Sequence, residues 1–189
     1  MSGKFEGNVR NLGDVPGELI SGLAVDLTTE SAPWVRRDQR FATKLDGVDH
    51  IVLRFPTDYP NSHLSAATTQ EWSRWSSLVE PLIGVVAERL GYERHKTSKV
   101  MFSRLRAGMS IPEHVDSNPS SLVPNKVHIP IRTSPAVIFT VDGISYHIPA
   151  GRAAELNNLK RHAVYNHSNI DRIHLIIEIY SLDTENIGA

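Results

Sequence analysis

The stretch Val137-Ile-Phe-Thr-Val-Asp-Gly-Ile-Ser-Tyr-His-Ile148 decides the fold class. Two short runs rich in β-branched and aromatic residues flank Asp142–Gly143, a pair suited to a tight hairpin turn. The same grammar extends outward on both sides. Strand-like runs are read at Val100–Leu105, Val127–Arg132, Val137–Val141 and Ser145–Ile148. Further runs follow at Ala153–Leu156, Ala163–Asn166 and Arg172–Tyr180, with an earlier one at His50–Phe55. Seven or eight short strands at this spacing predict a closed all-β sandwich or barrel. The count fits a mainly β protein with flanking helices, a double-stranded β-helix of the jelly-roll, cupin-like kind. The spacing predicts a single domain over 1–189, with residues 1–98 mostly helical or irregular and the jelly-roll core over 99–182. Asp183–Ala189 reads as a frayed tail.

One helical period stands out, between Thr69 and Leu90. Trp72, Trp75, Leu78, Val79, Leu82, Ile83, Val86 and Leu90 recur there at three- and four-residue steps. Thr69 suits the start, Gly91 the stop, and Pro81 predicts a kink or break. The two Trp are expected to pack in the core.

Composition narrows the function. Of 189 residues, 40% are hydrophobic and 22% charged, the ordinary balance of a soluble globular protein. The net charge of −1, with Lys and Arg scattered, argues against nucleic acid as a partner. There is no cysteine, so thiolate metal sites and a Cys nucleophile are excluded. No apolar run reaches the roughly 20 residues of a membrane helix, and residues 1–10 lack the apolar core of a signal peptide. A cytoplasmic location with no membrane partner is expected.

His114-Val-Asp116 is the first feature able to carry chemistry. On an extended strand, residues i and i+2 project from one face, so an imidazole and a carboxylate can reach one cation. With nine His and 21 acidic residues, about one such spacing arises by chance, and a second, distant His is needed. His162, opening a strand-like run, is the best candidate. Two His and one carboxylate on one face leave three coordination positions open, the arrangement of non-haem Fe(II) oxygenases. Ten residues on, Arg172 opens an apolar strand where a charge needs an anion. The far carboxylate of 2-oxoglutarate would supply it, as would an internal salt bridge to Glu178 or Asp171.

His114-Val-Asp116, Lys126-Val-His128-Ile-Pro130, His162-Ala-Val-Tyr-Asn166 and Arg172-Ile-His-Leu together resemble the aspartyl/asparaginyl β-hydroxylase family, whose layout the proline 3-hydroxylases share. The resemblance covers roughly Met101 to Tyr180. It implies a 2-oxoglutarate-dependent oxygenase using Fe(II) and O2, with His114, Asp116 and His162 as iron ligands. It places Arg172, Ser103 and His128 beside the cosubstrate, and Lys126 where an Arg is commoner. It also implies that Asn166 orders a loop. Gly151-Arg152-Ala-Ala-Glu155 departs from the family's Gly-Glu pattern and leaves that strand's register open.

Such an enzyme hydroxylates an unactivated carbon of an amino acid, an amino-acid-derived small molecule or a peptidyl side chain, releasing succinate and CO2. Candidate substrate contacts are Arg54 and Arg132, which could hold a carboxylate, and His174, which shares the face of Arg172. Ser117–Ser121 reads as a mobile loop at the site mouth. Two rivals remain: a cupin-like metal-dependent hydrolase or isomerase, and a non-enzymatic jelly-roll binding module.

Overall fold

In the computed structural model, which describes residues 5–36 and 47–183, the run Arg172–Ser181 is the strand about which the rest is organised. The elements in chain order are β1 (Val9–Asp14), α1 (Gly17–Leu27), β2 (Val35–Arg36), β3 (Val48–Pro56), β4 (Ala66–Thr68) and α2 (Trp72–Leu90). They continue with β5 (His95–Leu105), β6 (Ser110–His114), α3 (Pro119–Leu122), β7 (Asn125–Arg132), β8 (Val137–Val141) and β9 (Ile144–Tyr146). The chain closes with β10 (Arg152–Leu156), β11 (His162–Asn166) and β12 (Arg172–Ser181).

Two antiparallel sheets face each other. The larger has the order β1-β10-β7-β12-β5-β3-β2, with β4 pairing β3, and the smaller has the order β6-β11-β8-β9. This is the double-stranded β-helix. β12 is paired on both edges, with β5 and β7, and covered on both faces, so all but its last residue are buried. Such a strand reads as a nearly continuous apolar run. Its alternation divides the interior. Ile173, Leu175, Ile177 and Ile179 pack outward in a cluster with Trp75, Val79, Leu82 and Val86 of α2 and Leu23 and Leu27 of α1. Between the sheets, Val48, Leu105, Phe139, Leu156 and Val164 form a second cluster.

The Trp expectation holds: Trp75 is fully buried with its ring 5.4 Å from that of Phe102, and Trp72 packs at the edge of the same cluster. Gly91 caps α2 in the left-handed region at φ 75°, where a Cβ would be strained, and its N–H reaches the carbonyls of Ala87 and Glu88. The helix begins at Trp72 rather than Thr69, whose Oγ1 accepts the Glu71 N–H just before it. Pro81 does not split it. The second strand of the hairpin is Ile144–Tyr146 rather than Ser145–Ile148, because Asp142 and Gly143 alone make the turn, both at positive φ.

The N-terminal part carries more strand than expected. β1, β2, β3 and β4 all join the larger sheet, and β1 pairs with β10. That pairing settles the register around Glu155: Arg10 and Asn125 hydrogen-bond its buried carboxylate. α1 went unread because only Ile20, Leu23 and Leu27 are buried along it, too sparse a stripe to declare a helix. Of the tail expected at Asp183–Ala189, all but Asp183 lies outside the described residues. Among the described residues no helix is long and apolar enough to cross a membrane.

Candidate metal centre and cosubstrate cavity

β6 and β11 are neighbours in the smaller sheet, and their register sets His114 directly opposite His162. The ring centroids lie 4.2 Å apart. Asp116 sits two residues past the end of β6, held by its N–H to the Asn158 carbonyl, 3.0 Å. Ligand atoms of His114, Asp116 and His162 all lie within 4.8 Å of one another, so one cation can touch all three.

The hydrogen bonds around the trio suit a metal. His114 Nδ1 lies 2.8 Å from the Pro112 carbonyl and His162 Nδ1 2.9 Å from that of Lys160. A carbonyl only accepts, so each Nδ1 carries a proton, and the neutral form of either ring has its lone pair on Nε2. Lys126 pairs with Asp116 Oδ2, leaving Oδ1 turned toward the histidines, 3.7 Å from His114 Nε2. Burial raises the Asp116 pKa, but the charge and hydrogen bond of Lys126 more than offset that and hold it well below the usual carboxylate range. Burial lowers His162 to about 4, so it is neutral and able to ligate at physiological pH.

The trio lines a cavity of about 680 Å³ between the sheets. From the larger sheet, Ser103 of β5, Lys126 and His128 of β7 and Arg172 of β12 face into it. Arg172 is 1% exposed, yet its one hydrogen bond is a long 3.5 Å contact to the Ser103 carbonyl, and its Nε has no partner among the described residues. Burial lowers its pKa to about 9, which still leaves it protonated at neutral pH. The internal salt bridges considered for it do not form. Glu178 is paired with Lys99, and the Asp171 carboxylate receives the Ala107 N–H and lies 3.9 Å from Arg104. A buried guanidinium without an anion is costly, and an anionic ligand in the cavity, a carboxylate for example, would relieve it.

The expected substrate contacts are not gathered here. His50 and Val52 line the cavity, but a register shift between Val52 and Arg54 turns Arg54 to the helix side of the sheet. There its guanidinium lies 5.1 Å from the Trp72 ring centroid. Arg132 ends β7 and does not line the cavity. His174 is fully buried behind the wall, its ring stacked on Phe139 and its Nδ1 3.4 Å from His128 Nδ1. Burial holds both His128 and His174 well below the usual imidazole range.

The segment read as a mobile loop is built into the wall instead. Pro119–Leu122 forms a single helical turn, Ser120 and Ser121 are buried and hydrogen-bonded to Asn118 Oδ1, and Ser120 N–H bonds the Pro60 carbonyl. Asn166 ties its loop as expected, donating to the carbonyls of Leu105, Arg106 and Ile170 while accepting from Ser168. Sequence reading missed Phe55, Tyr59 and Lys99 as lining residues. Lys99 was within reach, since it precedes Met101 and Ser103 at the period of two. Phe55 and Tyr59 come from a different part of the chain, and no local pattern marks them.

Comparison with known proteins adds family and fold. The model of the aspartyl/asparaginyl β-hydroxylase family matches residues 55–181, well over half of the chain. No curated protein matches in sequence. Among solved structures, an oxidoreductase of the 2OG-Fe(II) oxygenase family from Burkholderia pseudomallei is similar at TM-score 0.61 and 12% identity, over 87% of this chain and 78% of that one. A viral collagen prolyl hydroxylase from Paramecium bursaria Chlorella virus-1, solved with 2-oxoglutarate, is similar at TM-score 0.61 and 8% identity, over 94% and 98%. A Pseudomonas putida prolyl-4-hydroxylase is similar at TM-score 0.56 and 12% identity, over 93% and 94%. At these identities the likeness is one of fold.

Proposed function

The chain belongs to the aspartyl/asparaginyl β-hydroxylase family, and from that premise we propose that His114, Asp116 and His162 hold Fe(II) while Arg172 holds the far carboxylate of 2-oxoglutarate. It is an oxygenase of the hydroxylase type. The proposed reaction hydroxylates an unactivated carbon of an amino acid, a small molecule derived from one, or a peptidyl side chain, with release of succinate and CO2. The observation that carries this reading is the buried Arg172, without an anionic partner among the described residues, in the same cavity as the three candidate ligands. A cupin-like hydrolase or isomerase does not need that charge, and a binding module does not need the His114, Asp116 and His162 trio beside it.

Bound iron and 2-oxoglutarate supply the O2-dependent oxidation of a C–H bond. The chain's residues bind, orient and exclude water. The Pro112 and Lys160 carbonyls hold the two imidazoles by Nδ1, which would leave each Nε2 to take the metal. Lys126 occupies Asp116 Oδ2, so that Oδ1 is the oxygen offered to the metal. Arg172 presents a fork to a carboxylate, with Ser103 and His128 beside it. Ile111, Phe139, Val164 and Ile176 make the wall apolar and keep bulk water from the reacting carbon.

The test is anaerobic titration of the Fe(II)-loaded protein with 2-oxoglutarate, following the weak visible charge-transfer band of the chelate. The band is expected in the wild type and lost or weakened in Arg172→Ala and His162→Ala. A folded, iron-loaded wild type without the band overturns the proposal.

A further inference from the structure

The cavity contains a second buried charge whose hydrogen bonding is incomplete, at the other end of the strand that carries Arg172. Glu178 lines the cavity and is 1% exposed. Strand register places it between two lysines, opposite Lys99 of β5 on one side and Lys126 of β7 on the other. Lys99 Nζ donates to Glu178 Oε1 at 2.8 Å, while Lys126 is taken up by Asp116. Glu178 Oε2 has no hydrogen-bond partner among the described residues. Six residues of strand separate Arg172 from Glu178, roughly 20 Å of backbone. One ligand of the size of 2-oxoglutarate does not satisfy both.

The surroundings of Glu178 suit an ammonium. Phe55 and Tyr59, with ring centroids 5.0 Å apart, line the same part of the cavity. Lys99 Nζ already lies 5.4 Å from the Phe55 centroid and 5.8 Å from that of Tyr59. The cation those two rings meet in this structure is Lys99, which also takes Glu178 Oε1, so Oε2 is the acceptor left without a donor among the described residues. Glu178 is also close to the chemistry, because Lys126 is its register partner and binds the candidate iron ligand Asp116.

We propose that Glu178 Oε2 is the subsite for the substrate's free amino group, so that the substrate is a small molecule bearing an ammonium rather than an N-acylated or peptidyl one. This rests on the oxygenase reading above and narrows its substrate class. The logic parallels that for Arg172. A buried charged atom without a partner is stabilised by the ligand that supplies one, and a ligand lacking that group leaves it unpaired.

The test uses the Mn(II)-loaded protein saturated with 2-oxoglutarate and calorimetric titration with the twenty free L-amino acids and their N-acetyl derivatives. At least one free amino acid is expected to bind about tenfold or more tighter than its N-acetyl form. Glu178→Gln, nearly isosteric and still able to accept from Lys99 through its amide oxygen, is expected to weaken that amino acid by about ten- to a hundredfold. The 2-oxoglutarate band of the iron-loaded variant should stay unchanged, which separates a lost subsite from a lost fold. Equal binding of free and acetylated forms, no effect of Glu178→Gln, or no binding by any free amino acid overturns the inference while leaving the oxygenase reading intact. A wild type that forms no 2-oxoglutarate complex overturns both.

Discussion

Asp49 and Arg172 are both 1% exposed charges, one at a corner of the larger sheet and the other inside the cavity, and the structure treats them in opposite ways. Asp49 receives four hydrogen bonds, two from Arg104 and two from Arg106, at 2.7 to 3.1 Å. Burial pushes its pKa up, but those arginine bonds more than offset it and hold the carboxyl below its ordinary range. Among the described residues Arg172 has one 3.5 Å hydrogen bond to a carbonyl and no hydrogen-bond partner at Nε. A charge that the protein solvates itself is a structural joint. A charge left short of partners in a cavity is a binding group whose partner arrives from outside. Asp49 and Glu155 fall in the first class; our proposals put Arg172 and Glu178 in the second.

The contrast can be broken most directly at Arg172. Arg172→Ala is expected to weaken 2-oxoglutarate by roughly 100- to 1000-fold in the chelate titration, while the melting temperature of the ligand-free protein holds or rises. A large fall in stability instead would make Arg172 a joint like Asp49. The converse variant, Asp49→Ala, leaves two guanidiniums without their shared acceptor. It should cost about 3 kcal/mol in urea denaturation and leave the 2-oxoglutarate midpoint unmoved.

A third probe concerns His162, buried but uncharged. Its folded pKa of about 4 lies below its ordinary 6.5, so on acidification the unfolded chain takes up the proton first. Stability from this residue is complete above about pH 6.5 and is lost as pH falls toward 4, by up to about 3 kcal/mol. His128 and His174 are shifted in the same direction and add to the loss. Metal-free His162→Phe should therefore show a shallower decline in denaturation midpoint than the wild type, and an identical decline would contradict the assignment. The smallest expected effect is that of Lys126→Met, which frees Asp116 Oδ2. Metal affinity is expected to fall about ten- to a hundredfold in a competition titration, with the fold retained.

The parts of this protein written in short-range pattern were legible. The hairpin about Asp142–Gly143, the α2 stripe and the apolar run of β12 each declare themselves within a dozen residues, because period and turn chemistry are local properties. The candidate ligands were legible for another reason: His114-Val-Asp116, His162 and Arg172 lie at spacings that a family resemblance makes specific. The substrate side was misread at Arg54, since one irregularity between Val52 and Arg54 reverses which face a side chain takes. No count of residues reveals such a shift.

Sequence by itself determined the fold class, the residue types available to a metal and the need of Arg172 for an anion, because composition and periodicity fix which faces must be buried. Only the tertiary structure decided that His162 stands opposite His114, that Lys126 serves Asp116, and that Glu178 keeps an oxygen without a hydrogen-bond partner among the described residues. Those facts depend on which strands pair and in what register, and pairing between residues tens of positions apart is settled by burial of both sheet faces at once, not by any local stretch of chain.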